Sequence, residues 1–290
     1  MSPNLVALGY LIAVVGFVLT LKGVSSPASA RQGTITGIAA LTIAVLFSLF
    51  NLPNAGFASY LMIILALIIG GGIGIGVLSK FQALAAPHLM MALQSLVGMT
   101  AVLIAAAAFY NPYHFSITDD AGHIFDASLL ELGLGSALGA VTFSGSVTAF
   151  CKSQGILPLA PVLLPSRHRI NIGLGVVILL LLMAFTATAN QVAFWTMTIL
   201  AFVIGFSLII PVGGADMPIA VSMQNAHAGW ATASIGFMLN NPMLVIAGAL
   251  IGSSSTVLSR NMCKATNRSF ISFVLEGSPI SATTTQLTIR

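Results

Sequence analysis

Apolar residues run along this chain in long blocks that short polar segments separate. An α-helix rises about 1.5 Å per residue, so about 20 apolar residues cross a hydrocarbon core about 30 Å thick. The pattern predicts nine such spans, at residues 5–22, 34–50, 57–78, 87–109, 128–150, 170–188, 192–212, 218–239 and 242–262. The sequence therefore predicts an all-α integral membrane protein, a bundle of about nine transmembrane helices.

The composition supports a membrane protein and excludes several other classes. Only 6% of the 290 residues are charged, whereas 57% are hydrophobic. An ordinary soluble domain has about 25% charged residues, and it needs them to cover its surface. A soluble enzyme, a disordered chain and a disulfide scaffold are therefore excluded.

The basic residues all fall on one side of the predicted spans. The other side receives Asp119, Asp120, Asp126 and Glu131. Because an excess of Lys and Arg marks the cytoplasmic side, nine spans place the N-terminus outside and the C-terminus in the cytoplasm. The ten basic residues are Lys22, Arg31, Lys80, Lys152, Arg167, Arg169, Arg260, Lys264, Arg268 and Arg290. They are scattered and make no basic stripe, so no nucleic-acid partner is predicted.

Small and polar residues recur at helical spacing inside several spans. The stripes are Ser222, Asn225, Gly229, Thr232 and Gly236 in span eight, Gln94, Gly98, Ala101 and Ala105 in span four, and Gly248, Gly252, Ser255 and Ser259 in span nine. Small residues let helices approach closely, which is the ordinary explanation for the glycines and alanines. The amides of Asn225 and Gln94 must face water or a polar partner, so these two residues are candidates for function.

His227 is a further candidate, and two interpretations of it stay open. It lies two residues from Asn225, about 200° around a helix, and therefore faces away from that stripe. It either titrates near neutral pH or forms a neutral hydrogen-bonded contact between helices. No Cys/His set has metal-ligand spacing and no phosphate-binding loop is present, so no metal or cofactor is predicted to bind to this chain.

Several long motifs resemble one family. They are GGADMP at 213–218, VSMQNAHAGWATASIGFML at 221–239 and GALIGSSSTVLSRNMCKATNRSFIS at 248–272, with SARQGTITGIA, SLVGMTAVL, GAVTFSGSVTAF and LPSRHRIN earlier in the chain. Together they resemble, in order over residues 1 to about 273, the membrane domain of the beta subunit of proton-translocating NAD(P) transhydrogenase.

The resemblance implies a function. In that family, which is Re/Si-specific, hydride passes between NADH and NADP+ in two soluble domains, and the membrane domain couples this reaction to proton movement. The chain would supply the proton path only. NAD(H) would bind to the alpha subunit and NADP(H) to a separate NADP(H)-binding domain. The implied setting is a dimer of the full complex in the lipid bilayer of the bacterial cytoplasmic (inner) membrane.

The resemblance also assigns roles to particular residues. Asn225 matches a polar residue on the proton path, and Asp216 lies in the turn at the inner mouth. Gly252, Ser253 and Ser254 match a close-packed Gly-Ser-Ser in the last span. Where the bacterial pattern often has a titratable histidine, this chain has Gln94. Either a water chain held by Gln94 and Asn225 carries the proton, or another group such as His227 titrates, or coupling is weakened.

The expected domains are a transmembrane proton-translocating domain at 1–265 and a short cytoplasmic tail at 266–290. The tail stands in place of the NADP(H)-binding domain, which needs well over 100 residues. That domain is therefore expected to be missing or to come from another polypeptide. Two alternatives remain: a truncated or degenerate remnant without coupling, and a small-solute permease, although no internal repeat typical of permeases is found.

Overall fold

The computed structural model describes residues 3–24, 26, 28–50, 56–80, 86–160, 167–267, 269–271 and 273. All nine predicted spans are helices, and the largest difference at either end of a span is at the start of the second, residue 30 rather than 34. The helices are α1 Pro3–Val24, α2 Ala30–Phe50, α3 Phe57–Lys80, α4 Ala86–Tyr110, α5 Asp126–Ser153, α6 Arg167–Thr188, α7 Gln191–Ile209, α8 Met217–Met238 and α9 Pro242–Ala265.

Eight of these helices are long and apolar enough to cross a membrane on length and composition alone. The ninth is α8, whose polar residues Gln224, Asn225 and His227 lower its hydropathy. Most of α8 is nevertheless buried, because it packs against both α5 and α9. Within the described ranges, the only β-pairing is an isolated bridge between Thr118 and Ile124. The protein is an all-α, multi-pass membrane protein, as the sequence predicts.

The chain divides into two compact units, Met1–Pro87 and His88–Arg290. In the first unit, α1 and α2 form an antiparallel hairpin whose contacts are made at small residues. Gly16 lies against Ala40, and Gly23 lies against the backbone of Gly33. The glycines of α3 from Gly70 to Gly76 have open space around them within the described part of the chain.

In the second unit, α5 is the central helix and packs against α6, α7 and α8. Near its N-terminal end a cluster of aromatic rings fills the space, with Phe109 stacked on Phe194 at a centroid distance of 5.2 Å. One turn further along α5, the Ser136 hydroxyl lies 2.8 Å from that of Thr198 on α7. Because the Thr198 hydroxyl donates to the carbonyl oxygen of Phe194, the Ser136 hydroxyl is the donor in this pair, and the bond ties α5 to α7.

Lys152 corrects one sequence prediction. The sequence places it in the loop after span five, but the structure places it in the last turn of α5, where it is only 2% exposed. Its Nζ donates hydrogen bonds to the carbonyl oxygens of Ile210 and Val212, the second at 2.7 Å. Carbonyls at a helix C-terminus lack partners within the helix and carry partial negative charge. The ammonium group therefore stabilises the end of α7 and fixes the turn that leads into α8.

Candidate functional site

The contact between α8 and α9 brings two backbones together. A Cβ atom built on Gly229 would lie 2.6 Å from the Cα of Gly252 and 2.8 Å from the carbonyl oxygen of Gly248. No side chain fits in that space, so only glycine is compatible with this crossing. The prediction that the small stripes of spans eight and nine pack helices closely is confirmed.

One turn before this crossing, the two helices share a polar contact. The Asn225 Nδ2 group donates a hydrogen bond of 2.7 Å to the Ser255 hydroxyl. The Ser222 hydroxyl donates to the backbone carbonyl of Ser255 at 3.1 Å. The amide of Asn225 thus has the polar partner that its position in a span requires.

A partly open cavity of about 230 Å³ lies beside Asn225, and residues of α4, α8 and α9 line it. Its walls are mostly apolar, and the polar side chains among them are Gln94, Asn225 and Thr232. A water molecule needs only about 10–15 Å³ of such volume and two to four polar partners. The structure therefore brings the two amides singled out by the sequence to one small cavity with room for several waters.

Gln94 differs from Asn225 in its bonding. It is buried, and neither its amide oxygen nor its amide nitrogen has a hydrogen-bond partner among the described residues. A buried amide without a partner costs about 1–3 kcal/mol. The cavity reaches the Gln94 side chain, although its two amide atoms are themselves buried.

The serines of α9 correct another prediction. Ser253 and Ser254 are exposed on this chain, and each donates to a carbonyl of its own helix. The expectation that they are close-packed is therefore wrong, whereas Gly252 is close-packed as expected. Ser255, which follows them, is the serine that is buried and binds Asn225. A role for Ser253 and Ser254 in the proton path stays a prediction.

Asp216 ends a short 3₁₀ turn, Gly214–Asp216, that leads directly into α8. It is only 4% exposed. A carboxylate at the start of a helix is stabilised by the partial positive charge of the first N–H groups. Val212, whose carbonyl accepts from Lys152, lies four residues earlier. In the turn that the resemblance assigns to the inner mouth, Asp216 is thus buried whereas Gly214 and Ala215 are exposed, and the segment before the turn is held from the end of α5.

Two buried polar groups lie on the other side of α8. His227 has its Nδ1 atom buried with no hydrogen-bond partner in the described part of the chain. A helix contact through that nitrogen is therefore not formed there. The sequence analysis missed Gln224, which is fully buried against α5. The sequence did contain a signal for Gln224. Consecutive residues lie about 100° apart on a helix, so the amides of Gln224 and Asn225 must face different interfaces.

The fold and this site define a class: a multi-pass helical membrane protein with a small, mostly apolar cavity between three of its spans, into which two amide side chains project. The family model for the NAD(P) transhydrogenase beta subunit matches residues 6–289. The chain belongs to this family, so the resemblance seen in the sequence motifs is confirmed.

Curated relatives agree with the family match. The chain is 47% identical over 277 residues to the NAD(P) transhydrogenase subunit beta of Rhodospirillum rubrum. The matched region covers 96% of this chain and 59% of the relative. The same subunit from a culture-collection strain of that species gives the same identity and coverage. The chain thus spans 59% of the length of these relatives.

Proposed function

We propose that this chain is the proton-conducting membrane part of a Re/Si-specific NAD(P)+ transhydrogenase, in which hydride transfer between NADH and NADP+ is coupled to proton translocation. The observation that carries the proposal is that Gln94 and Asn225 line one mostly apolar cavity, inside a chain of the beta-subunit family. NAD(H) and NADP(H) bind to partner domains in this proposal, on the alpha subunit and on an NADP(H)-binding domain. The full complex is a dimer.

The proposed path is a water chain. An amide cannot gain or lose a proton near neutral pH, but it donates and accepts hydrogen bonds at once. Asn225 has its Nδ2 group bound to Ser255, which leaves its carbonyl oxygen to accept from water. On the α4 side, both amide atoms of Gln94 are buried and have no protein partner among the described residues. The two side chains would hold waters in line, and protons would move along the waters.

Coupling requires the cavity to open to one side at a time. We propose that the redox state of the bound nucleotide biases which side the Asn225 region faces. One proton moved across 100 mV carries about 2.3 kcal/mol, and this shifts a hydride-transfer equilibrium by more than tenfold. The turn at Asp216 is the proposed link to the nucleotide domain, because it leads directly into the helix that carries Asn225.

The proposed setting is the bacterial cytoplasmic membrane, with the N-terminus outside and the C-terminus in the cytoplasm. Residues 1–265 form the membrane domain in this proposal. The segregation of Lys and Arg to one side of the spans supports the orientation. The hydrogen bonds from Lys152 to Ile210 and Val212 are consistent with it, since they join two segments assigned to the same side.

The test is a reconstitution of the chain in vesicles with the alpha subunit and the NADP(H)-binding polypeptide, with a pH-sensitive dye in the lumen. Asn225→Leu should abolish the pH change that accompanies hydride transfer, because it removes a polar group from the cavity and leaves the Ser255 hydroxyl without its amide donor. Asn4→Leu is the matched control, since Asn4 is exposed in α1. It should leave coupled turnover unchanged.

Three results would contradict the proposal in different ways. Unchanged coupled turnover in Asn225→Leu would remove Asn225 from the path. Hydride transfer that never changes the lumenal pH with the unmodified chain would indicate a remnant without coupling. Uptake of a labelled small solute into vesicles that contain this chain alone would indicate a permease.

A further inference from the structure

The chain changes direction after α9. Asn267 has a φ of +53°, and its N–H donates to a carbonyl oxygen in the last turn of α9 at 3.1 Å. A residue in this left-handed conformation commonly ends a helix and redirects the chain. Beyond it, the Phe273 N–H donates to the carbonyl oxygen of Ser269 at 3.0 Å, which is the bonding pattern of one α-helical turn. We call residues 269–271 and 273 the C-terminal turn.

The C-terminal turn has one buried side. Phe273 is only 3% exposed, whereas Ile271 is 68% exposed. Phe270 is partly buried and lies three residues before Phe273, so the two rings share one side of a helical turn. A segment that only trailed from the last helix would expose all three side chains alike. The turn is therefore docked on the bundle through its two phenylalanines.

Phe273 is buried in a hydrophobic cluster at one end of the second unit, which we call the end cluster. Helices α4 and α8 begin at this end, whereas α5, α7 and α9 finish there. Each of the five contributes buried side chains, which include Met91 of α4, Ala149 of α5, Ile209 of α7, Met217 and Met223 of α8 and Cys263 of α9. Burial of a phenyl ring among such side chains favours docking by a factor of about ten to a hundred. The C-terminal turn is thus held to this group of helix ends by an apolar contact.

The end cluster lies about one helical turn from the two amides of the cavity. On α4, Met91 is three residues before Gln94. On α8, Val221 packs against the cluster and is four residues before Asn225. Closely packed side chains transmit displacement, because they leave no space in which one of them could move alone. A displacement of the C-terminal turn therefore acts, through the cluster, on both helices that carry the cavity amides.

We propose that Phe273 is a positioning residue for proton coupling. It anchors the C-terminal turn to the end cluster, and the cluster holds the starts of α4 and α8 in the arrangement that couples hydride transfer to proton movement. Met217, a member of the cluster, directly follows Asp216, so the anchor also supports the proposed link to the nucleotide domain. The coupling role rests on the proposed function, whereas the anchor itself does not.

The anchor is tested by alkylation of Cys263 with iodoacetamide, on the full chain in lipid nanodiscs. Cys263 is 1% exposed and belongs to the end cluster, so its thiol should react only when the cluster opens. Cys151, which is half-buried, is the internal reference. Mass spectrometry of the two cysteine-containing peptides gives both alkylation rates. In the unmodified chain, Cys263 should react at least about tenfold more slowly than Cys151.

Substitutions in the C-terminal turn should change the alkylation of Cys263 selectively. Phe273→Ala removes the ring and should speed this alkylation by about tenfold to a hundredfold, whereas Phe273→Leu keeps an apolar side chain and should retain most of the protection. Phe270→Ala removes the partly buried ring and should give a smaller increase, which keeps the test valid if Phe273→Ala does not fold. Ile271→Ala is the matched control, because it shortens an exposed side chain of the same turn and should change neither rate.

The coupling role is tested in the reconstituted vesicles that contain the partner polypeptides. Phe273→Ala should lose most of the lumenal pH change per hydride transferred, while hydride transfer itself continues. A smaller amount of folded protein would lower both quantities in proportion, so their ratio separates a positioning role from a loss of protein. Phe273→Leu should recover the ratio, and Ile271→Ala should keep it.

The outcomes that would overturn the inference are distinct. Alkylation of Cys263 as fast as that of Cys151 in the unmodified chain, or equal alkylation rates of Cys263 in Phe273→Ala and Ile271→Ala, would show that no anchor exists. Faster alkylation in Phe273→Ala with an unchanged ratio of pH change to hydride transfer would show an anchor without a coupling role. An absence of proton coupling in the unmodified chain would contradict the proposed function and the coupling role together. The alkylation rates require no nucleotide or partner subunit, so they decide the anchor separately.

Discussion

The glycine contact between α8 and α9 gives a prediction whose size follows from the structure. In Gly229→Ala, the new methyl group would meet the Cα of Gly252 at 2.6 Å and the carbonyl oxygen of Gly248 at 2.8 Å. Non-bonded carbon atoms prefer about 3.5–4.0 Å, so the two helices must separate by about 1 Å. Both contacts are with backbone atoms, which no rotamer change relieves.

The energetic cost combines two unfavourable effects with one favourable effect. Overpacking costs about 1–3 kcal/mol, whereas alanine in place of glycine favours a helix by about 0.5–1 kcal/mol. Separation by about 1 Å also stretches the 2.7 Å hydrogen bond from Asn225 to Ser255 beyond bonding distance, which adds about 0.6 kcal/mol. We expect Gly229→Ala to lower the free energy of unfolding by about 1–3 kcal/mol.

The change in the free energy of unfolding is measured by unfolding the protein in mixtures of mild detergent and SDS. Tryptophan fluorescence follows the unfolding. Trp230 is a suitable reporter, since its ring lies about 3.0 Å from a Cβ atom built on Gly252. Gly72→Ala is the matched control because nothing lies within 4 Å of that position in the described part of the chain. The control should be unchanged or slightly stabilised. If Gly229→Ala is as stable as Gly72→Ala, the close backbone contact is not present in the molecule.

Three further predictions concern single side chains. Lys152→Met should lower the free energy of unfolding by about 1–3 kcal/mol, because two buried carbonyls lose their donor. Lys152→Arg keeps a donor and should recover part of this free energy in the same SDS assay. An equal loss in both variants would argue against the hydrogen bonds. Asn241→Ala should cost about 1 kcal/mol through loss of the N-cap of α9, whereas the neighbouring Asn240→Gly should not destabilise, since Asn240 has a positive φ. Gln94→His should raise the coupled proton signal in reconstituted vesicles, because an imidazole gains and loses a proton near neutral pH. An unchanged signal would show that the amide of Gln94 does not limit proton coupling.

The sequence predicted the fold closely because hydrophobic length alone decides where a helix crosses a membrane. All nine helices were identified, including α8, which is the least apolar of them. Small residues at helical spacing also predicted the α8–α9 contact. Which helix pairs with which was not predictable in the same way, since the stripes of spans four, eight and nine are all compatible with one another. Only the structure shows that Gly229 lies against Gly252 and that Gly98 lies against Gly139.

The candidate site was predicted in part. Asn225 and Gln94 were singled out because amides are rare and costly in spans, and the structure brings both to one cavity. Gln224 was missed because a sequence does not show which neighbour each face of a helix meets. Lys152 was assigned to a loop because the hydropathy of an apolar run falls at a lysine, whether its ammonium group turns outward to water or inward to carbonyls. Among the three consecutive serines of α9, only the interface decides which one is buried.

The joining of α8 to α9 limits how the cavity can change shape. Hydrogen bonds from Ser222 and Asn225 and backbone contacts at Gly229 and Gly236 hold these two helices together over most of their length. Two helices with so many mutual contacts tilt or slide together as one rigid body. We therefore expect the movable wall to be α4, whose Gln94 is the one cavity amide that no neighbour holds in place among the described residues. We thus expect Gln94, the residue at which the sequence motifs depart from the pattern implied by the resemblance, to lie on the moving helix and not on the fixed pair.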